Sequence, residues 1–233
     1  MESGALSDQE FPAFAKEVIP FLHVTTKIEG HPYDGLLREK GFGGFPSLAF
    51  MDANGNVIAN QGDRSVKGFR ETHASVKAFQ DLQARVAKGE KGLEFELFVA
   101  EWNLGTLDYD KAKARVEGMS KLNEEQRKQA KQIVQDAEVI QVANGVRDET
   151  AADAAGKRFH EMFAAGYRPG SRAEARFWGM LANWADKNEK VDSLEQAVAW
   201  MSKTYAGNER MAERLKALNA RVAELKAKAG VKP

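Results

Sequence analysis

Apolar positions over the first ninety residues come in short runs broken by turn residues. Ser7-Asp8-Gln9-Glu10 has the form of a capping box, the serine oxygen covering a free backbone N–H while the glutamate reaches back. Phe11, Phe14, Ala15 and Val18 then fall at i, i+3, i+4 and i+7, which predicts one face of a helix ending near Pro20. Phe21 to Ile28, rich in β-branched and aromatic residues, reads as a strand, Gly30-His31-Pro32 as a turn, and Tyr33 to Lys40 as a short helix carrying Leu36 and Leu37. Gly41, Gly43 and Gly44 break that helix before a second apolar run, Pro46 to Met51. Asp52-Ala53-Asn54-Gly55-Asn56 predicts a hairpin connection, because Asn and Gly tolerate the positive φ of such turns, and Val57-Ile58-Ala59 supplies the returning strand. A long helix follows from about Ser65, with Phe69, His73, Val76, Phe79 and Val86 on its inner face.

From about residue 92 the pattern changes to helical period almost throughout, with Pro169 the one proline before the C-terminal residue. Ala130, Ile133, Val134, Ala137 and Ile140 mark one helix, and Ala152, Ala155, Phe159, Met162 and Phe163 the next. Ser171-Arg172-Ala173-Glu174 opens a helix with Phe177, Trp178, Leu181 and Trp184. Asp192 caps one with Leu194, Ala197, Val198 and Met201. Met211, Leu215, Leu218, Val222 and Leu225 give the last helix a four-three spacing that would suit a coiled-coil seam, though over only two heptads. Leu93 to Val99 alternates as a strand does, in a context that reads better as helix. Helices joined by short polar turns predict an antiparallel array. The run Trp102-Asn103-Leu104-Gly105-Thr106-Leu107-Asp108-Tyr109, then Ala112, resembles the tetratricopeptide consensus with offsets wrong by one.

The chain has 233 residues, and its 34 basic side chains balance 34 acidic ones, so no basic excess points to nucleic acid or an anionic membrane as a partner. At 43% hydrophobic and 29% charged it can bury a core. No run of 18 apolar residues and no basic-then-apolar leader is present, so the sequence as written predicts a cytoplasmic chain. Zero cysteines exclude disulfides, thiol nucleophiles, thiolate metal sites and dithiol exchange within this chain.

The order helix, strand, helix, strand, hairpin, strand, helix, together with Gly43-Gly44-Phe45-Pro46-Ser47-Leu48-Ala49-Phe50-Met51-Asp52, Asn54-Gly55-Asn56-Val57-Ile58 and Gly62, resembles the thioredoxin family without its first strand. The resemblance covers about residues 1 to 90 and implies a cis Phe45–Pro46 bond opening a strand. It also implies that Gly44, Phe45, Pro46 and Ser47 form the wall that holds an extended peptide by backbone hydrogen bonds. Aligned this way, the family's first strand and both cysteines of its Cys-x-x-Cys motif belong upstream of Met1. Either Met1 is internal to a longer gene, the expectation favoured here, or strand and dithiol were lost together. A missing upstream segment leaves periplasmic residence open as the alternative. Removing a central strand orphans two strand edges, to be closed by another segment, Leu93 to Val99 for example, by rearrangement or by a partner chain, a homodimer through exposed edges included.

The expected architecture is therefore α/β plus all-α: an incomplete thioredoxin-like domain over 1–90 and a helical, tetratricopeptide-like domain over 91–233. The four histidines, His23, His31, His73 and His160, lack metal-site spacing, and His160-Glu161 has Ala164 where a zinc-protease motif needs its second histidine. No serine sits in a nucleophile elbow, the glycines at 41, 43 and 44 form no phosphate loop, and the paired carboxylates Glu94/Glu96 and Asp108/Asp110 read as solvated. No catalytic residue, metal or cofactor is expected. Trp178, Trp184 and Trp200 with Phe159, Phe163 and Phe177 read as core, or alternatively as a concave groove for a protein partner. The functional expectations are a redox-inactive thioredoxin-like chain, a fragment or relative of a thiol-disulfide oxidoreductase, that binds a protein or peptide; a protein-interaction module built on the helical half; or, least supported, an unrecognised hydrolase or metal enzyme.

Overall fold

The computed structural model describes residues 4–23, 33–228 and 230. These residues are mostly helical, with one small antiparallel sheet. They divide into two compact units, Met1–Leu107 and Asp108–Pro233. The division falls after Leu107 rather than near residue 90, because the helix over residues 94–104 puts Leu97, Ala100 and Leu104 against Ala59, Val76 and Phe79 of the first unit.

The first unit holds α1 (Phe11–Phe14), α2 (Leu36–Glu39), β1 (Ala49–Met51), β2 (Val57–Asn60), α3 (Val66–Ala87) and α4 (Glu94–Leu104). α1 is a single turn where the apolar spacing predicts a helix to Pro20. The expected capping box does not form: Ser7 closes a short 3-10 turn, and it is the Asp8 carboxylate that accepts from Glu10 N–H at 2.9 Å. A side chain bonding two residues ahead is an Asx turn, which competes with helix propagation. Residues 21–23 are not strand; 24–28 of the expected strand and the Gly30-His31-Pro32 turn lie outside the described residues. Leu93 to Val99, alternating but helical in context, is helix from Glu94 and supplies no strand to the sheet.

The hairpin is as predicted. β1 pairs antiparallel with β2, Ala49 opposite Asn60 and Phe50 opposite Ala59, with a bulge before Met51. α3 starts at Ser65, whose hydroxyl accepts from Gly68 N–H at 3.0 Å, an N-cap that satisfies one orphan donor of the first turn. The buried face of α3, Val66, Phe69, Val76 and Phe79, meets two small clusters: Phe14 with Phe11, Leu48 and Phe50, and Ala59 with Ile58 and Leu104. His73 is a half-buried structural residue, stacked on Phe50 with ring centroids 6.0 Å apart and 3.7 Å from Glu17, which also pairs with Arg70.

The second unit comprises α5 (Tyr109–Gly118), α6 (Glu124–Gly145), α7 (Glu149–Ala164), α8 (Glu174–Lys187), α9 (Val191–Thr204) and α10 (Glu209–Lys228). α5 packs on α6, and α7, α8, α9 and α10 pack in succession. Asp108, Asn123 and Asp148 cap α5, α6 and α7 with their side chains, Asn123 in a reciprocal box with Gln126. Ser171 and Asp192 do not cap: α8 begins after Ala173 and α9 after Lys190, neither with a side-chain cap. The core is continuous from Val139 and Phe159 through Phe177, Trp178, Leu181 and Leu194 to Val222 and Leu225. Each fully buried Phe or Leu in it contributes about 1.5–3 kcal/mol relative to exposure. The α10 stripe packs into this core, so the four-three spacing marks a core face. In the tetratricopeptide-like run, Trp102 and Leu104 are buried on α4, Gly105 ends that helix at φ 79°, and Tyr109 begins α5.

Candidate functional site

Gly44, Phe45, Pro46 and Ser47 lie on the loop that leads from α2 into β1. The Phe45–Pro46 bond is cis. Three internal contacts fix the loop: the Ser47 hydroxyl donates to the Gly44 carbonyl at 2.6 Å, Arg64 Nη2 to the Pro46 carbonyl at 3.1 Å, and Gln61 N–H to the Leu48 carbonyl at 2.9 Å. The Gln61 side-chain amide donates to the Asp63 carbonyl, while its buried Oε1 has no hydrogen-bond partner among the described residues. Phe45 is 69% exposed. Its backbone N–H and C=O have no partner among the described residues.

Two carboxylates hold the hairpin turn and the start of α3 in shape. Asp52 Oδ1 accepts from Asn54 N–H and Asn56 N–H, both at 2.8 Å, and Oδ2 from Asn56 Nδ2 at 2.9 Å. Asp63 Oδ1 accepts from Ser65 N–H at 2.9 Å, just ahead of α3. The Asn56 side-chain and backbone bonds hold the Asp52 carboxyl below the ordinary range, and the Ser65 bonds do the same for Asp63. A folded-state pKa below the unfolded one means these contacts stabilise above the unfolded value, about 4, and are lost as pH falls through the depressed folded values. The Asn56 and Ser65 amide resonances are expected to titrate with midpoints below about 4. Midpoints at or above it would remove these two carboxylates as supports.

The other sequence candidates do not assemble into a site. His31 lies outside the described residues, and His23 is half-buried with its Nε2 unpartnered among them. No group of three histidines or carboxylates among the described residues could hold a metal. Glu94, Glu96, Asp108 and Asp110 are exposed, Asp108 as the α5 cap. Trp178, Trp184, Phe159 and Phe177 are buried in the second unit's core, which favours the core reading of that aromatic set over a groove. Among the described residues no helix is long and apolar enough to cross a membrane.

Two polar constellations escape motif spacing. Ser193 Oγ and His160 Nδ1 are 2.8 Å apart, but Ser193 is 1% exposed in the first turn of α9. Among the described residues no carboxylate orients the His160 ring, which stacks on Trp184 at 4.9 Å. A nucleophile so placed meets no substrate, so the pair ties α7 to α9. The second is Asp136, 4% exposed on α6, whose Oδ1 accepts from the Tyr167 hydroxyl, from Gln132 Nε2 at 2.9 Å and from Gly170 N–H at 3.0 Å. Burial, then the Asp136 hydrogen bond and charge, raise the Tyr167 phenol far above its ordinary range. The readable signal was an acidic residue on the stripe formed by Ile133, Ala137 and Ile140. Comparison with protein-family models, with curated proteins and with solved structures finds no match.

Proposed function

We propose that the chain is a redox-inactive, thioredoxin-like binding module whose Gly44–Ser47 loop holds an extended segment of a protein partner. The observation that carries this reading is Phe45: a 69% exposed aromatic side chain with its N–H and C=O unpartnered among the described residues, on a loop whose neighbouring carbonyls are engaged internally. Such a residue offers a partner both an apolar anchor and a pair of backbone hydrogen bonds. With no cysteine, the chain brings no thiol to that partner, and dithiol exchange at this wall needs a thiol pair from outside the sequence given.

Reduced, carboxymethylated α-lactalbumin, an unfolded polypeptide without free thiols, serves as the probe. Phe45→Ala is expected to weaken its binding, measured by fluorescence anisotropy, by roughly tenfold or more, the loss typical of an anchoring aromatic. Because Phe45 is exposed, the variant should keep the wild-type circular dichroism and melting temperature. Equal affinity of the two folded proteins would remove Phe45 from the binding surface and this function with it.

A further inference from the structure

The structure assigns α10 the role of a charge-latched strap, a helix seated on α8 and α9 by a bank of cations, which salt releases while α7, α8 and α9 stay folded. Glu189 follows the C-cap of α8 with φ 51° and is the one non-glycine at positive φ among the described residues. At the ends of α3 and α7 the equivalent position is Gly89 or Gly166, and the next residue closes the helix: Glu90 N–H donates to the Arg85 carbonyl at 3.1 Å and Tyr167 N–H to the Met162 carbonyl at 3.0 Å. Lys190 N–H makes the same bond to the Ala185 carbonyl at 2.8 Å, so glycine would serve this turn equally. A side chain in the left-handed region is held there against its own preference, and it persists where its surroundings use it. The Glu189 carboxylate accepts from Arg221 Nη2 at 3.2 Å and lies 3.8 Å from Lys228 Nζ, both on α10.

These two contacts belong to a set that runs in one direction. Arg221 Nε donates to Asp186 on α8 at 2.9 Å, Lys226 Nζ to Glu195 on α9 at 2.6 Å, and Arg214 Nη2 to Asn183 Oδ1 on α8 at 2.8 Å. The α10 side chains that reach across are all cations, and Asp186, Glu189 and Glu195 receive them as carboxylates. Isolated exposed ion pairs add little, but Arg221 and Lys226 are half-buried, and Glu224 braces Arg221 and Lys228 along α10 at 2.9 and 2.8 Å, which makes the pairs a network. The apolar hold is narrow by comparison. α10 packs on α9, and only Leu218, Val222 and Leu225 of its 20 residues are buried, whereas α8 is packed by α7 and α9 together. An element with few buried contacts opens at the low end of a protein's range of local stabilities. The charged contacts therefore set how often α10 opens, and opening uncovers its apolar stripe together with the α9 surface beneath it.

The test is amide hydrogen exchange of the full chain, read helix by helix in sodium chloride at about 20 mM and about 500 mM, a range over which exposed charges pass from weakly to strongly screened. Amides of α10 should exchange sooner than those of α8, and the higher salt should speed α10 by about fivefold or more while leaving α8 unchanged. Glu189→Gln keeps a side chain in the left-handed turn and removes the charge. It should speed α10 exchange at low salt by about threefold or more and shrink the salt effect. Glu189→Gly should do the same to α10 while slowing exchange at the C-terminal end of α8, because the turn is relieved. Slower exchange of α10 in Glu189→Gly, with Glu189→Gln like the wild type, would show the carboxylate to be idle and would overturn the proposal. A salt effect of equal size in the wild type and Glu189→Gln would overturn it too. So would exchange of α10 in step with α8 and α9 at both salt concentrations, since the helix would then not open by itself.

Discussion

Replacing Asp136 with leucine is expected to destabilise the second unit by roughly 3–5 kcal/mol, the range measured when one member of a buried polar group is removed. Leucine is close in volume, so the loss comes from what it strands: the Tyr167 hydroxyl, the Gly170 N–H and the Gln132 amide all donate to Asp136 Oδ1. Gln132 keeps a second acceptor in the Arg168 carbonyl at 2.9 Å, so Tyr167 and Gly170 carry most of the cost. Phe177 packs edge-on against the Tyr167 ring at 5.2 Å, so a shift of Tyr167 toward water disturbs the centre of the core as well. Three of the four tryptophans, Trp178, Trp184 and Trp200, lie in this unit, so the fluorescence-monitored transition reports it, and a fall in midpoint of about 10–20 °C is expected. Asp136→Asn keeps an acceptor oxygen and should cost only about 1–2 kcal/mol. Combining Asp136→Leu with Tyr167→Phe should cost less than the two single losses added, by about 0.5 kcal/mol or more, because the hydroxyl is no longer stranded. Strict additivity would mean that Asp136 and Tyr167 do not act as a unit.

The contrast between Asp136 and the hairpin shows which parts of this chain were legible from its residues. Asp52 to Asn56 is local: the residues that form the turn are the ones whose side chains and φ values it requires, so composition alone places it. The helices of the second unit are legible for a related reason, since a face buried along its whole length imposes its period on the sequence. The readings that failed were decided by competition or by distance. At Ser7 a shorter-range bond from Asp8 won, and nothing in a four-residue pattern ranks the two. Asp136, Tyr167 and Gly170 are separated by 31 and 34 positions and meet only because α7 turns back on α6, so their spacing carries no motif. The same holds for the candidate site. Gly44–Ser47 is picked out in the sequence by resemblance alone, whereas the contacts that fix the loop, Arg64 to the Pro46 carbonyl and Gln61 N–H to the Leu48 carbonyl, come from residues that follow β2 and reach the loop only through the fold.

Gly156→Ala tests a close approach by the sign of its effect. In an exposed or roomy helix interior, replacing glycine by alanine stabilises by roughly 0.5–1 kcal/mol, because the unfolded chain loses freedom it no longer has to give up on folding. Gly156 lies within α7 against α8, and a Cβ there would sit 2.2 Å from Trp184 Cβ and 2.6 Å from its Cγ. Overpacking of this kind costs about 1–3 kcal/mol and outweighs the propensity gain, so net destabilisation of about 1–2 kcal/mol is expected. Gly179 on α8 is the control, since a Cβ there meets nothing within 4 Å, and Gly179→Ala should raise the melting temperature. Gly170 presents the same constraint at the polar network: its added Cβ would lie 2.4 Å from Asp136 Oδ2. Truncating the tryptophan does not relieve the clash at Gly156, because the nearest atom is the Cβ that alanine retains. Trp184→Ala should therefore fail to rescue Gly156→Ala and should add its own loss of core contacts with His160 and the α7–α8 interface. Rescue by Trp184→Ala would place the obstruction in the indole ring rather than in the approach of the two helix backbones, and the packing of α7 on α8 would then tolerate a side chain at 156.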